Sequence, residues 1–334
     1  MKLRFTLLFF IAVIASTYAQ KAQNVYLFKD NGKQVADKAD ADYIRIIQEP
    51  DSGNTNFKLL EYYRNGKRKT IGEVKSFEPT LIFDGIIMSY DSLGRRTEMI
   101  TYKDGRPAGS SIAFHPNGKV RRELEYLTVS PSMNQMIGKS SSVNDFIFNT
   151  SSKIMFDADS SGKVNIENGK GHLKVVNKFD DFESVEEGNY LDGLKTGEWT
   201  GYDTKSQTSF KENYEANKLI AGESLKDGIT YKYTVSMQAP EFDGGQAAWN
   251  RFIASTTKYP SDAQRSGVRG TVYTSFVVDG KGRIVDIKIE KSVFPSLDEE
   301  ARRVLQYSPK WEPGRQRGIP VRVKYNQSFH FNLR

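Results

Sequence analysis

The chain has 334 residues, 38% of them hydrophobic, which is enough for two domains of ordinary size, and it has no cysteine. Disulfide staples, thiolate metal sites, a cysteine nucleophile and a lipid-modified cysteine are therefore excluded. Lys and Arg exceed Asp and Glu by 48 to 41, a net charge of +7; residues 240–334 hold 16 basic and 10 acidic residues in alternation, which argues against a nucleic-acid stripe and for a solvated face or an anionic partner.

Met1–Ala19 places Lys2 and Arg4 before the apolar run Phe5–Ala15, with the small residues Thr17 and Ala19 ahead of Gln20. That layout is a secretory signal too short to span a bilayer, so the chain is expected to be exported to the periplasm. Contact with the membrane follows only if the segment stays uncleaved.

Residues 20–56 form a lead-in, and residues 57–235 read as an all-β region of repeated hairpins. From Phe57 to Tyr231, short runs rich in Tyr, Phe, Val and Ile are punctuated by Asn-Gly, Asp-Gly and Ser-Gly. Tyr102-Lys103-Asp104-Gly105 with Gly109 and Phe114 recurs as Tyr190-Leu191-Asp192-Gly193 with Gly197 and Tyr202. A second theme sets Tyr62, Tyr90 and Phe114 four residues before Gly66-Lys67, Gly94-Arg95 and Gly118-Lys119. Glycine supplies the positive φ of each turn, and aromatics stacked on neighbouring hairpins cover a continuous sheet face. These units resemble MORN repeats, in a degenerate and interrupted form. Ser130–Ser152, rich in Ser and Asn, reads as a loop.

Chemistry-bearing motifs are sparse. Asp157-Ala158-Asp159-Ser160-Ser161-Gly162 imitates the start of an EF-hand loop, but Asn168 stands where the bidentate Glu belongs, so an ordinary hairpin turn is the stronger reading. Asp180-Asp181 and Glu186-Glu187 form a solvated acidic patch. His115, His172 and His330 are far apart and read as surface or turn residues. No nucleophile–base pair or metal spacing stands out, so neither enzyme nor cofactor is expected.

The composition changes after Lys226. Pro240-Glu241-Phe242-Asp243-Gly244-Gly245 opens a terminal domain, residues 240–334, and Ala247, Ala248, Trp249, Phe252 and Ile253 make one apolar helix face. Lys258-Tyr259-Pro260 stops that helix, and Ser261–Gly267 is a short second turn. Thr271–Val278 and the stretch with Val285, Ile287 and Ile289 facing one way make a hairpin around Asp279-Gly280-Lys281-Gly282. Ser296 is expected to begin a helix with Glu299 as its capping box and Leu297, Ala301, Val304 and Leu305 as its stripe. Pro309–Pro320 is a loop. Val321, Val323, Tyr325, Phe329, Phe331 and Leu333 then alternate with polar residues in a long one-sided strand, where Gln327 is the one polar residue on the apolar side. The expected fold is α+β, with two helices packed on a three-stranded antiparallel sheet.

With Pro240-Glu241-Phe242-x-Gly244-Gly245, Tyr259-Pro260, Gly270-x-Val272, Leu297-Asp298-Glu299-Glu300-Ala301 and Pro309-Lys310-Trp311-x-Pro313-Gly314 at the joints, this segment resembles the TonB C-terminal domain family. Asp243 departs from the second proline common there. The resemblance implies capture of an extended segment of an outer-membrane transporter, added as a strand near the Tyr-Pro joint and the last strand. Tyr259, Pro260, Arg322, Lys324, Tyr325, Asn326 and Ser328 are then the partner-binding candidates. Arg322, Lys324 and Asn326 discourage indiscriminate edge pairing. The competing arrangement pairs the strand with a second copy in a homodimer. A working energy transducer of that family has an uncleaved membrane helix carrying a histidine and a Pro-rich spacer. Here a short run without His is followed by hairpins, so an exported binding protein is expected ahead of a membrane-anchored transducer.

Overall fold

The computed structural model describes residues 23–127, 152–178 and 182–332. The signal segment, the loop before Ser152, Asp180-Asp181 and Leu333 lie outside the described residues. The chain divides into two compact units between Val164 and Asn165.

The first unit is an antiparallel meander of β1 (Gln23–Phe28), β2 (Tyr43–Gln48), β3 (Phe57–Tyr63), β4 (Arg68–Ser76), β5 (Gly85–Tyr90), β6 (Arg96–Lys103), β7 (Arg106–Phe114), β8 (Val120–Tyr126) and β9 (Ser152–Ala158). Each pairs with the next. Strands thus already occupy the segment read as a lead-in. Ile47, Leu59 and Val74 form a small buried cluster beneath Tyr26, Phe57 and Phe77.

The Gly-Lys turns do more than reverse the chain. The Tyr63 hydroxyl donates to the Tyr90 carbonyl at 2.9 Å, the Asn65 amide to that of Ser92 at 2.8 Å, and the Lys67 ammonium to that of Leu93 at 2.7 Å. The same three places recur one pair of hairpins later. His115 Nε2 lies 2.8 Å from the Ala158 carbonyl, Asn117 donates to Ser160 at 2.8 Å, and Lys119 to Ser161 at 2.6 Å. Each Asn-Gly-Lys turn therefore satisfies carbonyls that its neighbour exposes, and turns stack through hydrogen bonds as well as rings. The calcium-like segment is such a receiving turn. Asp159 Oδ1 accepts the backbone N–H groups of Ser161, Gly162 and Lys163, while Asp157 pairs with Arg122 at 2.8 Å.

The second unit continues with hairpins β10 (Lys170–Lys178), β11 (Glu183–Leu191), β12 (Leu194–Asp203), β13 (Thr208–Glu215), β14 (Lys218–Lys226) and β15 (Ile229–Tyr233). Asp192-Gly193 and Asp227-Gly228 both have positive φ at both positions, the requirement of a two-residue hairpin turn with the twist of its strands. Across the ladder, Leu173, Gly188, Trp199, Glu212, Gly222 and Tyr233 fall in one row. A Cβ on Gly188 would lie 2.4 Å from the Trp199 ring, so this glycine lets the indole lie flat on its neighbour's backbone.

The terminal module follows in the same unit: α1 (Gly245–Thr256), α2 (Ser261–Arg265), β16 (Gly270–Val278), β17 (Ile284–Lys291), α3 (Pro295–Gln306) and β18 (Val323–Phe331). The sheet order is β17-β16-β18, antiparallel throughout. The expected α+β arrangement is present, and one core joins Phe242, Trp249, Val272, Phe276, Leu297, Val304, Leu305, Trp311, Phe329 and Phe331.

Two local expectations are corrected. α3 starts at Pro295 with Phe294 as its N-cap and no side-chain cap, because proline suits the first helical position and moves Ser296 inside the first turn. The polar role there passes to Asp298, which accepts the Val293 N–H at 3.3 Å. On β17, Ile284 replaces Val285 in the core beside Ile287 and Ile289. Asp286 sits at φ 52, and this bulge shifts the phase of the alternation before it.

Candidate functional site

β18 pairs residue for residue with β16, from Val278 opposite Val323 to Gly270 opposite Phe331, without a bulge. Among the described residues no strand pairs with its other side, so it is an edge of nine residues, about 30 Å long. The Thr274 hydroxyl donates to the Gln327 carbonyl at 2.9 Å, which shows that Gln327 turns its backbone toward β16. Because the direction alternates along an antiparallel ladder, the backbone groups of Lys324, Asn326, Ser328 and His330 face the open edge.

The second outer strand, β17, is a poorer template. Its Asp286 bulge interrupts the ladder, and Arg302 of α3 donates to the Ile287 carbonyl at 3.3 Å. A bulge and a covering helix are the usual devices against edge pairing, and among the described residues β18 has neither.

The candidate side chains separate into two groups. Lys324, Asn326 and Ser328 lie on the polar face of the sheet, with Arg322 just ahead of the strand. Arg322 reaches Asp286 at 2.5 Å and Lys324 reaches Glu290 at 3.2 Å, across β16. All four charged groups are about half exposed or more, so water and salt screen each pair and it can exchange its partner. The Ser275 hydroxyl, then the Lys324 ammonium, hold the Glu290 carboxyl below its ordinary range.

Tyr325 points the other way. Its ring stacks on Phe276 at 5.7 Å and meets Trp311 edge-on at 5.4 Å, so it builds the core under the edge. Gln327, the polar residue on the apolar face, is accounted for by α1: its Oε1 accepts the Trp249 indole N–H at 2.7 Å, and its amide donates to the Ser328 carbonyl at 2.7 Å. Tyr259 packs against Phe331 with ring centroids 5.8 Å apart and donates its hydroxyl to the Val268 carbonyl, while Pro260 is the N-cap of α2. The structure thus brings the Tyr-Pro joint to the Phe331 end of β18 and the basic residues to the Val323 end.

Sequence reasoning missed His330, whose backbone shares the open edge; its Nδ1 lies 2.9 Å from the Thr271 hydroxyl oxygen. It also missed the Asp286 bulge, which alternation alone does not reveal. Among the described residues no helix is long and apolar enough to cross a membrane, and no group of three acidic or histidine side chains is placed to hold a metal ion. No curated protein matches the chain. Residues 255–333, from the end of α1 through β18, match the family model of the Gram-negative bacterial TonB protein C-terminal.

Proposed function

We propose that this is an exported periplasmic protein whose terminal module binds an extended segment of another envelope protein by adding it as a strand to β18. The matched family is one of non-enzymatic binding and transducing domains of the Gram-negative envelope, and its members interact with outer-membrane transporters. An outer-membrane transporter is accordingly the partner we favour. The observation that carries the reading is the open, bulge-free edge of β18, since main-chain hydrogen bonds along such an edge supply affinity. Lys324, Asn326 and Ser328 then flank the added strand on one face, while Tyr259 and Pro260 close one end and Arg322 the other. The hairpins serve as scaffold for residues 240–334, in the manner of MORN-like repeats.

Two experiments test this. Full chain immobilised on resin should retain plug peptides of outer-membrane transporters, and Asn326→Pro should abolish retention while the protein stays folded, because the N–H it removes faces outward. Equal retention by both proteins would refute strand addition. Sequencing the N-terminus of the exported protein should give Gln20; Met1 would instead point to an anchored chain.

A further inference from the structure

One buried charge in the hairpin sheet is satisfied by the terminal module. Glu212 of β13 is only 1% exposed. Its Oε1 accepts the Tyr233 hydroxyl at 2.8 Å and the Arg317 Nε–H at 3.0 Å, and its Oε2 accepts the Tyr214 hydroxyl at 3.0 Å. Burial, then the adjacent Glu212 carboxylate, push both tyrosines far above their ordinary range, so both remain donors. The Arg317 guanidinium lies 3.5 Å from the centre of the Phe210 ring, a cation–π contact beside the ion pair.

Cages of this kind recur along the hairpins. Arg45 pairs with Glu61 and lies over Phe28, and Lys195 pairs with Glu186 and lies over Trp199 at 3.9 Å. In both of those the cation comes from the strand next to the carboxylate. For Glu212 it comes from a sequence position 105 residues away, at the tip of a hairpin turn in the terminal module.

That tip is held by its backbone too. Arg317 donates its N–H to the Ser236 carbonyl and accepts the Ser224 hydroxyl on its own carbonyl, each at 2.6 Å. Arg317 and Gly318 both have positive φ, and a Cβ on Gly318 would meet Tyr231 and Tyr233 at 3.2 and 3.3 Å. The Val321 N–H donates to the Gly314 carbonyl at 2.8 Å and closes the loop at its base, from which β18 starts two residues later.

We propose that Arg317 is a positioning residue for the binding edge: it keys the loop that launches β18 into the Glu212 cage, so the hairpins set how well ordered that edge is. The proposal rests on β18 being the binding strand, and it gives the hairpins a task beyond spacing. Removing Arg317 leaves the Glu212 carboxylate buried without its counter-charge, which is why the coupling is expected to be large.

The test is hydrogen exchange on the full chain carrying Arg317→Met, Arg317→Lys, Glu212→Gln or Arg317→Met with Glu212→Gln. Arg317→Met should speed exchange at the amides of Val323, Tyr325 and Gln327, which face β16, on the order of 100-fold, and Arg317→Lys less. The double variant should be no worse than Arg317→Met alone, because Glu212→Gln removes the buried charge that Arg317→Met leaves without a partner cation. Plug-peptide affinity should fall in the same order. Faster exchange confined to residues 315–320, or an equal rise in α1 and β17, would overturn the proposal. If Arg317→Met does not fold, the near-isosteric Glu212→Gln decides by the same criteria. A wild-type chain that binds no plug peptide while its variants exchange as described removes strand addition and leaves the coupling intact.

Discussion

The hairpin strands of the first unit and the terminal module are both antiparallel sheets, yet they are held together differently. In the module, α1 and α3 cover one sheet face, and the aromatic cluster of Phe242, Trp249, Phe276, Trp311 and Tyr325 lies between. In the first unit Ile47, Leu59 and Val74 form a small buried cluster, and the turns are tied by Asn65, Lys67, Asn117 and Lys119 to the carbonyls of the next turn. A packed core fixes one shape and carries β18 in register against β16 along its length. A stack of hairpins gains stability by nearest-neighbour terms and resembles a repeat protein in that respect.

That contrast can be broken most severely at the core. Trp249→Ala removes a side chain that is 1% exposed together with the hydrogen bond to Gln327, and should cost about 3–5 kcal/mol in denaturant unfolding. A loss below about 1 kcal/mol would mean that α1 is not integral to the module. In the hairpins the equivalent insult is an added methyl group. Gly188→Ala places a Cβ against the Trp199 ring and should cost about 1–3 kcal/mol, read as faster amide exchange in β11 and β12.

Smaller effects should come from the turn stack. Asn65→Ala and Lys67→Ala each delete one side-chain-to-carbonyl bond at an exposed turn and should cost about 0.5–1.5 kcal/mol or less, with the change confined to β3–β5. A loss that spread through the whole unit would show the turns to be cooperative over more than one neighbour. The smallest effect is a pH dependence at Asp279. The backbone N–H and guanidinium of Arg283 hold its carboxyl at about 2, below the usual 3.8. A depressed folded-state value means that this contribution is complete above about pH 4 and is lost as pH falls toward 2. Asp279→Asn should flatten the unfolding midpoint over that interval; an unchanged pH profile would show that the turn gains nothing from the charge.

Much of the module was legible in the sequence because its rules are local. The alternation from Val323 to Phe331 and the stripe of Leu297, Ala301, Val304 and Leu305 follow from strand and helix periods, and the structure buries those faces. Long-range particulars were not legible. Nothing near Gln327 announces Trp249, and nothing near Glu212 announces Arg317, because each partner lies on a separate element. Asp286 shows why phase errors arise: a single left-handed residue moves Ile284 into the place that alternation gives to Val285. The candidate site shows both cases. The open edge of β18 follows from its being the last strand of a three-stranded sheet, whereas the inward turn of Tyr325 and the charge pairs of Arg322 and Lys324 depend on the packing around them.

Strand addition at β18 is tested most directly by residue-resolved hydrogen exchange on the full chain, with and without a transporter plug peptide. Protection should rise at the amides of Lys324, Asn326 and Ser328, whose N–H groups face outward, and should stay unchanged along β17. Peptide-dependent protection on β17, or none on β18, would contradict the assignment. Protection at those three amides without peptide, rising with protein concentration, would mean that a second copy of the chain occupies the edge.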